Sequence, residues 1–195
     1  MEDDIYLSWE KNHPERAAWT DHVIAELILR MPLLTRASDI TEFARNYPSL
    51  NEVQQLNVWG ELISAVARFE SSWNPCNRFK ENFPKPDPIT GELVVSEGLL
   101  QLSYQDVTSH PKLDGLFDWE KDKLLGREDC SKTILDPFRN LTGGVIILSD
   151  QVQKYSKIIL KSPYWSTLRD PATGKDTRVA EIKAMIKKLP FVNGA

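Results

Sequence analysis

Between Pro14 and about Met31, Trp19, Val23, Ala25, Leu27 and Ile28 alternate with charged residues at helical spacing, which predicts an amphipathic helix that Pro32 stops. A shorter helix is expected over Ile40 to Tyr47, ending before Pro48, because a residue preceding proline is pushed out of helical geometry. Ser49-Leu50-Asn51-Glu52 has the form of a capping box, so the next helix is expected to start there. Along it, Leu56, Trp59, Ile63, Val66, Ala67 and Glu70 fall within one helix face of roughly 100°. A carboxyl group therefore rides on an apolar stripe, in the last turn before Asn74-Pro75 breaks the helix.

Residues 76–97 read as an irregular excursion, with Pro84, Pro86, Pro88 and a Thr90-Gly91 turn, and fit a short hairpin or lid. Short apolar runs follow at Val94-Val95 and at Leu99 to Leu102, and Ser103 caps a helical turn through Asp106. The charged stretch from Lys112 to Lys132 predicts loops and short helices. Asp136-Pro137 opens a second core helix whose stripe is Leu141, Val145, Leu148, Val152 and Tyr155. A turn at Asp170 to Gly174 and a basic helix carrying Val179, Ile182, Met185, Ile186 and Leu189 complete a mainly α pattern.

With 195 residues, 41% of them hydrophobic, the chain is long enough for one core and reads as one domain over residues 1–195. A net charge of −4 gives no electrostatic footprint for nucleic acid or anionic lipid. The longest apolar stretches, Val23 to Leu29 and Val145 to Leu148, fall far short of the roughly 20 residues that span a bilayer. Met1 is followed by acidic Glu2, Asp3 and Asp4 where a secretory signal would be basic, as in a mature region whose leader is gone. His13, His22 and His110 are scattered, and neither cysteine has a partner at metal-ligand spacing, so no metal site and no cofactor are expected. Cys76 and Cys130 form either one disulfide or two thiols. Thr173-Gly174-Lys175 lacks the remaining glycine of a phosphate loop and reads as a solvated turn.

The informative group is Glu70. A carboxyl on an apolar face either pairs with a cation, here Arg68 or Lys80, or takes a raised pKa, because desolvation disfavours its charged form. A carboxylic acid kept protonated near neutral pH is what glycoside cleavage needs for donating a proton to the leaving oxygen.

The words around Glu70 sharpen this. Glu70-Ser71-Ser72-Trp73-Asn74-Pro75 resembles the Glu-Ser-x-aromatic-Asn-Pro signature of soluble lytic transglycosylases and goose-type lysozymes. Ser96-Glu97-Gly98-Leu99-Leu100-Gln101 resembles that family's Gly-Leu-Met/Leu-Gln motif, and Asp136-Pro137-Phe138-Arg139-Asn140-Leu141 with Gly143-Gly144 resembles its glycine-bearing helix. The family's Ala-Tyr-Asn segment is not evident; Tyr164-Trp165-Ser166-Thr167-Leu168 stands near that point.

The resemblance covers about residues 50–165, flanked by N- and C-terminal helical extensions. It implies a lysozyme-like α+β fold with a small β or irregular lobe flanking a glycan cleft. Glu70 would be the acid, cutting the MurNAc-GlcNAc β-1,4 bond of peptidoglycan as lysozyme or transglycosylase. Ser71 and Ser72 would either orient it or end the helix; Ser96, Gly98, Leu99 and Gln101 would border the sugar, with Gly98 admitting close backbone approach. Tyr104, Tyr164 and Trp165 would stack on sugar faces. Asp87, Glu92, Glu97 or Asp106 would supply any second carboxylate. A wall-cutting role implies a monomer acting in the periplasm or outside the cell, where a Cys76–Cys130 disulfide would persist. The alternative is a non-catalytic peptidoglycan- or protein-binding module on the same fold.

Overall fold

The computed structural model describes residues 5–192; the acidic Glu2 to Asp4 stretch lies outside them. Among the described residues, five α-helices and a two-stranded sheet are joined by short 3-10 turns. Helix α1 (Ala17–Leu34) runs through Pro32 instead of stopping at it. The proline removes one backbone donor, yet Thr35 N–H donates to Met31 C=O at 3.0 Å, so the ladder resumes at once, and fully buried Leu34 holds the last turn down. The stretch expected as a helix over Ile40 to Tyr47 is two 3-10 turns, Ile40–Glu42 and Tyr47–Ser49, the second admitting Pro48 near its start.

Helix α2 (Glu52–Ser71) is the centre of the molecule. Its cap lies two residues beyond the expected one. Asn51 Oδ1 accepts from Gln54 N–H at 2.9 Å, and Gln54 Oε1 accepts from Asn51 N–H at 3.2 Å. Ser49 instead donates to Asn46 C=O within the preceding turn. Every residue from Asn57 to Ala67 is buried, because α1 and α5 (Val179–Ile186) both pack against this helix and the N-terminal turn Ser8–Glu10 adds to the cover. Packing on all sides makes the apolar stripe wider than an amphipathic helix needs.

Strands β1 (Arg78–Lys80) and β2 (Val95–Glu97) pair antiparallel, with Arg78 opposite Glu97, Phe79 opposite Ser96 and Lys80 opposite Val95. The proline-rich excursion is thus a hairpin with a long tip. Its base is tied by the Cys76–Cys130 disulfide to the segment ahead of helix α4 (Pro137–Tyr155), with Cα atoms 5.4 Å apart. That segment includes a short helix, α3 (Trp119–Asp122). Helix α4 packs along α1, and its Gly144 lets the loop after β2 press inward: a Cβ there would meet Leu100 Cδ1 at 2.0 Å. No helix among the described residues is long and apolar enough to cross a membrane.

Candidate active site

Glu70 occupies the last turn of α2, where the helix emerges from the core. The chain then reverses through two left-handed residues, Ser72 (φ 54°) and Trp73 (φ 60°). The Trp73 indole N–H donates to Ser64 C=O at 2.8 Å, which pins the reversal against the helix. Asn77 Nδ2 donates to the Glu70 carbonyl at 3.3 Å, so the start of the hairpin is keyed to the residue it faces. A cleft of about 750 Å3 opens there, of the size that binds small ligands, between the hairpin and the Tyr164 to Arg169 segment.

The Glu70 carboxyl is partly buried at this cleft, with no ion pair among the described residues; Arg68 instead lies over the Trp73 ring. Its Oε1 accepts a hydrogen bond from the Thr167 hydroxyl at 2.9 Å. Burial pushes its pKa up, and the charge of Glu81 pushes the same way; the Thr167 bond opposes both by favouring the ionised form.

Glu81 follows β1 and lines the same cleft. Its Oε1 accepts from the Ser96 hydroxyl at 2.6 Å, and its N–H extends the strand ladder to Val94 C=O at 3.0 Å. Two glutamate carboxyls therefore share one cleft, one fixed by a helix end and the other by a sheet. The sequence did not mark Glu81: it has no periodic neighbours and lies in a stretch that reads as loop. The remaining walls include Gln101, Asp106 and Tyr164, together with two exposed aromatics, Phe79 and Phe83, that sequence patterning also passed over.

The residues singled out from the sequence divide sharply. Ser96, Gln101, Tyr164 and part of Trp165 line the cleft with Glu70. Gln101 is held at φ 51° and donates to Gly98 C=O at 2.8 Å, while Tyr164 donates its hydroxyl to Asp106. Trp165 is almost wholly buried, its indole N–H bonded to Leu100 C=O at 2.7 Å, so its ring serves packing more than sugar contact. Ser71 and Ser72 do not line the cleft; Ser71 donates back to Ala67 C=O, as a helix-end serine does. Leu99 is fully buried in the core. Gly98 does not open the backbone to a sugar: at φ 80°, a Cβ there would lie 2.3 Å from Asn140 Nδ2, so the glycine makes room for an asparagine. Tyr104 donates to Asp122 at 2.7 Å and lines a different cavity.

Of the four carboxylates considered as a partner for Glu70, only Asp106 reaches the cleft, where it accepts from Tyr164 and from Ser103 N–H. Asp87 is buried and accepts from the N–H groups of Ile89, Thr90 and Gln105, which shapes the hairpin tip. Glu92 and Glu97 lie on the far side of the hairpin, Glu97 beside Arg78 at 2.7 Å.

Asn140 is the joint that holds this arrangement. Fully buried on α4, it donates to Glu97 C=O at 3.0 Å and Ile134 C=O at 2.9 Å and accepts from Leu100 N–H at 2.8 Å. Asn140→Ala leaves Ile134 C=O and Leu100 N–H without this partner, while Glu97 C=O keeps Leu102 N–H at 2.9 Å; at about 1 kcal/mol for each unpaired group the expected loss is about 2 kcal/mol, read as a lower denaturant midpoint. A midpoint within experimental error of the wild type would contradict this role.

No family model matches the chain, and no curated protein matches it. Three solved structures of a protein named Bd0314 DslA are similar over nearly the whole length. Its wild-type form has a TM-score of 0.76 and 27% identity, over 97% of this chain and 98% of that one. Two single Glu-to-Gln mutants of the same protein also give TM-scores of 0.76, at 26% identity over 97% to 99% of this chain and 98% to 100% of theirs.

Proposed function

We propose that this protein cleaves the glycan strand of bacterial peptidoglycan, with Glu70 as the general acid and Glu81 as the second carboxylate, on a lysozyme-like fold. The observation that carries the reading is a desolvated carboxyl, unpaired with any cation among the described residues, that shares a cleft with the Glu81 carboxyl and exposed aromatic side chains. Spacing supports the pairing of the two positions: the glutamates replaced in the two DslA mutants are eleven residues apart, as are Glu70 and Glu81.

The chemistry follows from the environments. Glu70, held protonated, donates its proton to the leaving glycosidic oxygen as the sugar gains oxocarbenium character. Glu81, whose Oε1 is steadied by Ser96, is placed to stabilise that cation or to take a proton from the group that attacks it. The exposed rings of Phe79 and Phe83 offer apolar faces against which a sugar can stack, while Gln101 and Asp106 present polar atoms at the wall. Water as the attacking group yields a reducing sugar; the sugar's own 6-hydroxyl yields the anhydro form. The disulfide suits an oxidising compartment, and we place the protein in the periplasm or outside the cell.

Mass spectrometry of the soluble products from purified sacculi tests the reading. Disaccharide-peptide fragments, reducing or anhydro, are the expected result; intact glycan strands after prolonged incubation would overturn it.

The pH profile carries a second expectation. The acid must be protonated, so activity falls as pH rises through the raised pKa of Glu70. Thr167→Val removes the hydrogen bond that favours the ionised form, so the Glu70 pKa rises further and the alkaline limb moves to higher pH. A limb that moves to lower pH would contradict the assigned role of Thr167.

A further inference from the structure

The two-stranded sheet has two working faces. Successive side chains of a strand point to opposite sides. Phe79 and Ser96, opposite one another, face the glycan cleft with Glu81 beyond them. Lys80, Val95 and Glu97 face the other way, into a second cavity of about 420 Å3, and Arg78 at the hairpin base lines both.

This second cavity is built for an anion. Lys132 lines it, is only 5% exposed, and its ammonium makes no ion pair or hydrogen bond among the described residues. The Arg78 guanidinium places Nη2 beside Glu97, but its Nη1 is buried without a hydrogen-bond partner among the described residues. Both cationic groups keep donors that the wall carboxylates Glu97, Glu92 and Asp87 do not take up, and a further acceptor that reaches them would satisfy these donors. Asp87 adds a negative charge on the same wall, but its oxygens accept from backbone N–H groups and not from Arg78 or Lys132. Lys123 at the rim is already paired with Glu120. The rest of the wall is mixed: Leu93, Val95, Trp119 and Leu125 are apolar, and Lys80, Thr90, Tyr104 and Arg127 are polar. Cations beside aliphatic and indole surface match a short peptide that ends in, or carries, a carboxylate.

We propose that this cavity binds a carboxylate of the peptide that branches from the glycan strand held in the cleft, with Lys132 and Arg78 as its anion ligands. The inference rests on the glycan-cleaving reading for the identity of the ligand, not for the existence of the site. Reach is adequate: an extended chain advances about 3.3 Å per residue, so three residues cover about 10 Å, roughly the thickness of a sheet layer that the peptide must round. Because Arg78 lines both cavities, the route runs past the disulfide-tied end of the hairpin. The peptide on the strand then sets which sugar sits over Glu70.

The test is a titration of the intact protein with the free tripeptide alanyl-γ-glutamyl-lysine, followed by 1H-15N NMR. The expected result is movement of the Trp119 indole and Lys132 amide signals, with affinity at least tenfold weaker for the same peptide with its carboxyls amidated. Lys132→Met should weaken binding at least tenfold, and Lys132→Arg should restore most of it, which separates a lost ligand from a lost fold. Equal affinity for the amidated peptide, no movement, or movement confined to Phe79 and Ser96 would each overturn the proposal. A site merely structural in purpose would leave affinity untouched in both Lys132 variants. The titration reads no cleavage, so inactive protein that still binds the tripeptide through Lys132 would refute the glycosidase reading while upholding the anion site.

Discussion

Glu70→Gln is expected to lower turnover of wall glycan by about 10² to 10⁴, the range lost when a positioned proton donor is removed. Glutamine has nearly the same shape, and its amide oxygen can still accept from the Thr167 hydroxyl, so the cleft should keep its form. What disappears is the transferable proton. The folded protein should be at least as stable as the wild type at neutral pH, because a desolvated carboxyl with a raised pKa costs stability once it ionises. Activity and stability therefore move in opposite directions. Turnover of purified sacculi together with a denaturation curve reads both; unchanged turnover would remove Glu70 from the chemistry.

Loss of the Cys76–Cys130 disulfide is the second large effect. The bridge closes a loop across a sequence separation of 54, for which chain entropy gives about 4 kcal/mol of stability. That is a large fraction of the roughly 5 to 15 kcal/mol by which domains are stable. The bridge also sits at the base of β1, so freeing it loosens the strand that carries Phe79 and precedes Glu81. The double variant Cys76→Ser/Cys130→Ser should lose both stability and turnover, with the larger fractional change in turnover near the unfolding temperature. A loss well under 1 kcal/mol would show that the unbridged chain keeps the same constraint by other means.

A titration effect accompanies these. Glu61, buried on α2 and accepting from the N–H and hydroxyl of Ser8, has its pKa raised by burial. Asp106 is raised for the same reason. For acids with raised folded-state values, the stabilising contribution is present below the ordinary carboxylate range and is lost as pH rises through the folded values. Both therefore favour the fold on the acidic side, the same side on which Glu70 is competent.

Much of the helical frame was legible because long periodic segments bury one face. The stripes of α2 and α4 are visible in Leu56 to Glu70 and Leu141 to Tyr155, and the position of Glu70 on its stripe pointed to a carboxyl desolvated at the cleft. Local signals competed less clearly. Ser49 and Asn51 both begin a capping pattern, and only the tertiary arrangement of the Tyr47–Ser49 turn decides that Asn51 takes it. Pro32 should end a helix on local grounds, but burial of Leu34 outweighs one missing hydrogen bond.

The cleft itself was only partly legible, because its second wall comes from a hairpin. Which side of a two-stranded sheet faces the cleft depends on register, and a shift of one residue exchanges the faces. That is why Glu81, Phe79 and Phe83 escaped notice while Glu97 was considered: it sits one residue from Ser96 and on the opposite face. Gly98 and Leu99, read as sugar contacts, are instead fixed by Asn140 and by the core. Thr167, which bonds the acid directly, comes 97 residues later, and no local spacing could announce it.

On this reading, burial and the charge of Glu81 favour the protonated form of Glu70 at the cleft. A 13C NMR titration of its side-chain carboxyl, in the wild type and in Glu81→Gln, measures this directly. The expected Glu70 pKa lies above the ordinary glutamate value of 4.5 and falls when the Glu81 charge is removed. A Glu70 carboxyl that titrates at or below 4.5 in the folded wild type would contradict the account.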